Sequence, residues 1–217
     1  PVAEADYLVL ESTYGSRNHE RHTDTIEEFA HLIDQTLTKG GNVVIPSFAI
    51  GRTQELLYAI REIKQRGLVK DTDFPVYVDS PLAIEATEIF SKCDSSCFDE
   101  ETNKLIEQGI DPIKFPNLRL SVTVEKSKRI NETPDPKVIL SASGMCEAGR
   151  IRHHLKHNLW RPQNLILFVG YQAEGTLGRN LIEGVQNVRL FGEDIAVRAQ
   201  IKSLKGTSGH ADQQGLI

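Results

Sequence analysis

Short apolar runs rich in Val, Ile and Leu alternate along this chain with stretches of helical period. That alternation constrains the fold more than any other feature. A strand followed by a helix and another strand returns to the same sheet as a parallel neighbour. Strands are predicted over 7–11, 42–46, 76–79, 118–122, 137–141, 165–170, 188–190 and 196–201. Most lack an in–out polar alternation, as strands covered on both faces do. The fold class that follows is α/β, a mainly parallel sheet with helices on both faces.

The helical stretches carry the expected spacing. Over 25–38, Ile26, Phe29, Ala30, Ile33 and Leu37 recur at three- and four-residue intervals, and Gly40-Gly41 follows as a stop. Over 52–66 the stripe is Leu56, Leu57, Ile60 and Ile63, ended by Gly67. A helix over 145–158 turns Ile151 and Leu155 inward and leaves Arg150, Arg152, His153, His154, Lys156 and His157 for its other faces. Shorter helices are predicted over 99–108, 177–183 and 211–217. The stretch 93–136 is the least regular and holds several Pro breakers. From Val188 onward the pattern changes to antiparallel-looking strands joined by Gly192-Glu193-Asp194. The chain begins at Pro1 and ends within a helical pattern, and both ends read as cuts through a longer protein.

With 217 residues, 39% of them hydrophobic, there is material for one large core or two small ones. The formal net charge of −5 excludes a broad basic nucleic-acid coat, so any nucleic-acid contact must be local. Cys93, Cys97 and Cys146 have no zinc-ribbon spacing and read as reduced thiols of a cytoplasmic protein. No apolar run is long enough for a membrane span.

One chemical feature recurs: a strand that runs into a small-residue turn and then a helix. It occurs at Ile45-Pro46-Ser47-Phe48-Ala49, at Asp79-Ser80-Pro81-Leu82, at Ser141-Ala142-Ser143-Gly144-Met145 and at Gly170 to Gly178. In a parallel sheet such turns gather along the carboxyl edge, where ligands bind, and helix N-termini there suit phosphate. Each serine alone is more simply an N-cap, worth about 1 kcal/mol. Gly175 to Gly178 lacks the dinucleotide-fingerprint spacing. His153 and His157 have the spacing of a zinc pair, but the basic residues around them favour a solvated, phosphate-facing helix. His19, His22 and His31 read as surface residues. Glu11 ends a predicted buried strand, where a carboxylate is costly unless paired. His210 lies between Gly209 and Ala211 on a permissive loop. A Glu11–His210 hydrogen bond would orient the imidazole for proton transfer; the simpler alternative is a turn cap and a helix cap.

Taken in order, Leu10-Glu11-Ser12-Thr13-Tyr14-Gly15, Ile45-Pro46-Ser47-Phe48-Ala49, Gly51-Arg52-Thr53-Gln54-Glu55-Leu56-Leu57, Asp79-Ser80-Pro81-Leu82-Ala83, Ser141-Ala142-Ser143-Gly144-Met145, Gly170 to Gly178 and Ser208-Gly209-His210-Ala211-Asp212 resemble the β-CASP nucleases of the metallo-β-lactamase superfamily, in their RNA-processing, cleavage-factor-like branch. The resemblance covers the chain from about Ala5 to Ile217. It implies a β-CASP α/β domain over 16–187, a remnant of a metallo-β-lactamase core strand over 1–15, and a return into that core over 188–217. It implies RNA as partner and phosphodiester hydrolysis in the intact protein. Two zinc ions would be held there by ligands outside this chain, because the family's His-x-His-x-Asp-His run is absent, and no residue here is expected to bind metal. Glu11 matches the family's acidic motif and His210 the histidine thought to act as general acid. Ser47, Arg52, Ser80, Ser143, Gly144, Met145 and Arg150 are the expected substrate contacts, with 143–145 offering a helix N-terminus to an RNA phosphate. The isolated chain is expected to be inactive. The resemblance also allows a homodimer, and a non-catalytic RNA-binding or scaffold subunit as the alternative reading.

Overall fold

The computed structural model describes residues 4–16, 18, 25–204 and 210–217. The strands β1 (Val43–Pro46), β2 (Val76–Val78), β3 (Leu118–Leu120), β4 (Val138–Ser141), β5 (Leu165–Phe168) and β8 (Gln200–Ser203) form one sheet in the order β3-β2-β4-β1-β5-β8. Every pairing in it is parallel. A separate antiparallel hairpin joins β6 (Asn187–Leu190) to β7 (Glu193–Ala196).

The central strands explain the absence of alternation in the sequence. Val43, Ile45, Val138, Leu140, Leu165 and Leu167 point into one core, and Val44, Ile139, Ile166 and Phe168 into the other. The first core is closed by α1 (Thr25–Thr38), α2 (Arg52–Arg66) and α3 (Pro81–Phe90). The second is closed by α5 (Val124–Glu132), α6 (Ile151–Asn158), α7 (Leu177–Ile182) and the hairpin. Each fully buried aliphatic side chain contributes about 1.5–3 kcal/mol, so the two layers dominate stability. α4 (Glu100–Glu107) lies outside both, and α8 (Gln213–Leu216) is the short helix predicted near the end.

Several expectations need correction. Residues 7–11 are not a buried strand: they carry no strand assignment, and Tyr7 and Val9 are 93% and 95% exposed. Among the described residues no strand pairs with them, and an apolar run without a ladder partner stays extended and open. The run at 196–201 divides, with β7 ending at Ala196 and β8 beginning at Gln200. Between them the N–H groups of Arg198 and Ala199 both donate to the Leu159 carbonyl at 2.8 Å. β8 then pairs with β5 in the main sheet. α5 lies in the stretch read as irregular. It buries only Ser127 and Ile130, too few for a visible apolar stripe, although Thr123 caps it by accepting the Lys126 N–H.

The predicted helix over 145–158 begins only at Ile151. Cys146 and Gly149 take positive φ, 65° and 80°, which a right-handed helix cannot include. A Cβ at position 149 would stand 2.6 Å from the Ala142 carbonyl oxygen. The segment 142–149 is therefore a folded turn, and Ser143, Gly144 and Met145 do not present a helix N-terminus.

Candidate functional site

The turns that follow the central strands meet one another at the carboxyl edge of the sheet. Gly144 lies against Phe48, its Cα so close that an added Cβ would sit 3.3 Å from the ring. The Gly144 carbonyl accepts the Gln172 side-chain N–H at 3.0 Å, and the Met145 carbonyl accepts the Gly178 N–H at 3.1 Å. The turns after β1, β4 and β5 are thus cross-linked as the parallel topology requires. Phe48 and Tyr171 remain about half exposed on this edge. Sequence reasoning did not single them out, because an aromatic beside a turn reads as core until its surroundings are known.

Within this edge the predicted phosphate contacts divide. Ser47 is 2% exposed, and its hydroxyl is shared with that of Thr53 at 3.0 Å. Ser80 is buried and accepts the Ala83 N–H at 3.3 Å as the cap of α3. Ser143 Oγ is within 3.4 Å of both the N and the O of Ala148. Ser80 is the N-cap that the simpler reading expected, whereas Ser47 and Ser143 bond within their turns and cap no helix. Arg52 stands in the first turn of α2 and pairs with Glu55.

Arg150 is not a loose charge partner. Its guanidinium donates at 2.8 Å to Asp79 Oδ1, to the Ser121 carbonyl and to the Val122 carbonyl. Asp79, fully buried at the end of β2, also accepts from Ser127 Oγ at 2.6 Å and meets His154 Nε2 at 2.7 Å. His154 is itself fully buried, with Nδ1 3.0 Å from Asn131 Oδ1. Burial pushes the Asp79 carboxyl up, but the bonds from His154, Ser127 and Arg150 outweigh it and hold the group below the usual carboxylate range. This network ties β2, β3, α5 and α6 together. His154 thus leaves the solvated basic helix to which sequence assigned it. On the open face of α6, His153 stacks on Phe191 with ring centroids 4.2 Å apart.

The pair proposed from the two ends of the chain is formed. Glu11 Oε2 lies 2.8 Å from His210 Nδ1, and Glu11 Oε1 accepts the Ala211 N–H at 2.9 Å. Both side chains are substantially exposed, 38% for Glu11 and 54% for His210. The surroundings fix the approach of the two segments. Tyr14 and Asp212 form a parallel bridge, Gln214 N–H donates to Asn18 Oδ1 at 3.2 Å, and Asp212 caps α8 by accepting the Gly215 N–H. The Ala211 N–H, together with the His210 bond, holds the Glu11 carboxyl below its ordinary range despite the opposing effect of desolvation. Glu11 is therefore a fixed, ionised acceptor that occupies one imidazole nitrogen. Ser208 and Gly209 of the same motif, and His19 and His22, lie outside the described residues.

Among the described residues, no three His, Cys, Asp or Glu side chains converge as a metal centre requires. The described residues do not fit a zinc site. No described helix is long and apolar enough to cross a membrane.

A six-stranded parallel sheet with cross-linked carboxyl-edge turns, joined to a Glu–His pair from distant segments, defines an α/β domain with a polar site. Residues 53–181 match the family model described as the Beta-Casp domain, and the chain belongs to the metallo-β-lactamase/β-CASP nuclease family. It is 40% identical over 213 residues to ribonuclease TTHA0252 of Thermus thermophilus, covering 98% of this chain and 48% of that protein. It is 32% identical over 217 residues to the transcription termination factor FttA of Thermococcus kodakarensis, covering 33% of it. An RNase J-like protein of Methanocaldococcus jannaschii is 34% identical, with 49% of its length covered. The chain thus spans about half the length, or less, of these relatives.

Proposed function

We propose that this chain is the RNA-binding and clamping part of a zinc-dependent ribonuclease that hydrolyses RNA phosphodiester bonds. Its two zinc ions would be held by residues outside the chain. The observation that carries this reading is the 2.8 Å contact between Glu11 and His210, residues 199 positions apart in sequence. A carboxylate anchored by a backbone N–H has no need of a histidine to satisfy it. Placed against Nδ1, it orients the ring, as a positioned general acid requires. In hydrolysis the bond from phosphorus to one ribose oxygen breaks, and His210 would give that leaving oxygen its proton. Glu11 would act as a positioning residue. The names of the relatives, a ribonuclease and an RNase J-like protein, support RNA as the substrate.

The test is RNA cleavage by the protein that contains this chain, under single-turnover conditions. His210→Ala is expected to lower the chemical step by roughly 10²–10⁴-fold, the usual worth of a general acid, with little change in RNA affinity. An unchanged rate would remove His210 from the chemistry. The separate 217-residue chain is expected to bind RNA without cutting it; metal-dependent cleavage by it would overturn that part of the proposal.

A further inference from the structure

The outer face of α6 reverses the charge of the chain. The sequence has 30 Asp and Glu against 25 Lys and Arg, yet no acidic residue occurs from Ala148 to Ala173. On α6 and the turn that continues it, His153, His157 and Trp160 fall at i, i+4 and i+7 on one face, and all three are exposed. Arg152, Lys156 and Arg161 flank this stripe. Arg161 lies over the Trp160 ring, 4.9 Å from its centroid, and Arg152 over the Phe191 ring at 5.8 Å. From the neighbouring elements, Lys128 of α5 acts on the charge of His153, and Glu193 of the hairpin pairs with Lys156 at 2.5 Å. Desolvation, then basic neighbours, hold His153 and His157 below the ordinary histidine range. Near neutral pH they are uncharged rings set among cations.

Phe191 bears on the same face from the tip of the hairpin. It and Gly192 form the two-residue turn between β6 and β7, both with positive φ, 52° and 83°. Such turns favour Asn-Gly or Gly-Gly, because a bulky residue is strained there. The strain is not offset by core packing: Phe191 enters neither core and stays about half exposed, stacked on His153. Trp160 is likewise about half exposed. Two large rings are thus held in solvent beside three cations, the combination that binds single-stranded nucleic acid.

We propose that this face binds a single-stranded segment of RNA, its bases stacking on Phe191 and Trp160 and its phosphates held by Arg152, Lys156 and Arg161. RNA is taken as the partner from the function proposed above, but the contact is a separate one. The end of α6 is tied to the amino edge of the sheet, where Asn158 Oδ1 accepts from the side chains of Asn42 and Asn164, each just ahead of a strand. Trp160 and Arg161 therefore stand at the opposite edge from the cross-linked turns. From His153 to Trp160 the chain rises about 10 Å, room for about three stacked nucleotides at about 3.4 Å each. The exposed Lys156–Glu193 pair contributes little and opens to phosphate. An acidic peptide would use the cations but not the exposed rings.

Fluorescence anisotropy of the full chain tests this with a labelled oligoadenylate about 12 nucleotides long, within the usual range of single-strand site sizes. The same strand paired with its complement, and polyglutamate as competitor, are the controls. The single strand is expected to bind saturably and more tightly than the duplex, and polyglutamate to displace it poorly. Phe191→Asn should weaken binding roughly tenfold, the worth of one lost stack, and leave the thermal midpoint no lower, because asparagine suits the turn. Trp160→Ala should weaken binding by a similar factor. Lys156→Gln should reduce the slope of log affinity against log salt by about 0.7, the share of one phosphate contact on a single strand. Equal binding of duplex and single strand, or efficient displacement by polyglutamate, would overturn the proposal. Strand binding that survives both aromatic substitutions in folded protein would overturn this surface alone, whereas no strand binding at all would also remove the RNA-binding reading of the chain.

Discussion

Glu11 and Asp79 are both held below the ordinary carboxylate range, for different reasons and with different consequences. Glu11 is exposed and fixed by the Ala211 N–H and His210. Because its folded pKa lies below the usual 4.5, the stabilisation it provides is fully present above that value and is lost only as pH falls through the lower folded one. A pH titration of the Ala211 amide by NMR should therefore inflect below pH 4.5; an inflection at or above that value would mean the contact is not maintained in solution. Asp79 is buried among Arg150, His154 and Ser127. Asp79→Ala takes the carboxylate away from the fully buried His154 imidazole and from the partly buried Arg150 guanidinium, which keeps only the Ser121 and Val122 carbonyls, so urea denaturation should show a loss of about 3–5 kcal/mol. A loss under 1 kcal/mol would contradict the structural role given to this network. The difference in legibility between these sites is physical. Glu11 and His210 were visible because a carboxylate after an apolar run and a histidine beside glycine are each unusual. The partners of Arg150 were not legible, because nothing in a sequence shows that carbonyls of Ser121 and Val122, on another strand end, converge on one guanidinium.

The elements with a strong period were readable to within a residue or two, α1 and α2 among them, because burial of one helix face imposes that period. The failures share a cause, since each depended on a partner distant in sequence. The apolar run at 7–11 has no ladder to join among the described residues. β8 was separated from β7 by the Leu159 carbonyl, which the sequence could not reveal. α6 starts late because Gly149 holds φ at 80° beneath the Ala142 carbonyl. Gly149→Ala should therefore destabilise the chain by about 1–3 kcal/mol, the cost of holding a non-glycine residue in a disfavoured backbone region, with added cost from the close oxygen. Thermal denaturation checks this, and an unchanged midpoint would mean that the turn relaxes freely.

For the molecule as a whole, the two-layer core explains why the sheet was predictable from composition and alternation, whereas the Glu11–His210 pair, being assembled from both ends of the chain, was legible in its residues but not in its geometry. The interior also contains a pH-sensitive cation. Lys137 is 1% exposed, donates to the carbonyls of Ile130 and Thr133, and is lowered by burial from 10.5 to about 8. The unfolded chain binds the proton more readily between those values, so this residue makes stability rise as pH increases from 8 to 10.5 and adds nothing further above it. Replacing it by Met should flatten that rise in denaturant melts; an identical slope would show that Lys137 does not contribute to it. The central assignment is that Glu11 and His210 form one catalytic unit, and a double-mutant cycle on RNA cleavage by the protein containing this chain tests it most directly. Glu11→Gln, His210→Ala and the double substitution are compared in single turnover. If Glu11 acts only by positioning the ring, the double variant will be no slower than His210→Ala alone. Additive losses would show that the two residues act independently, full activity in His210→Ala would remove that residue from the chemistry, and full activity in Glu11→Gln would remove the positioning role of the carboxylate.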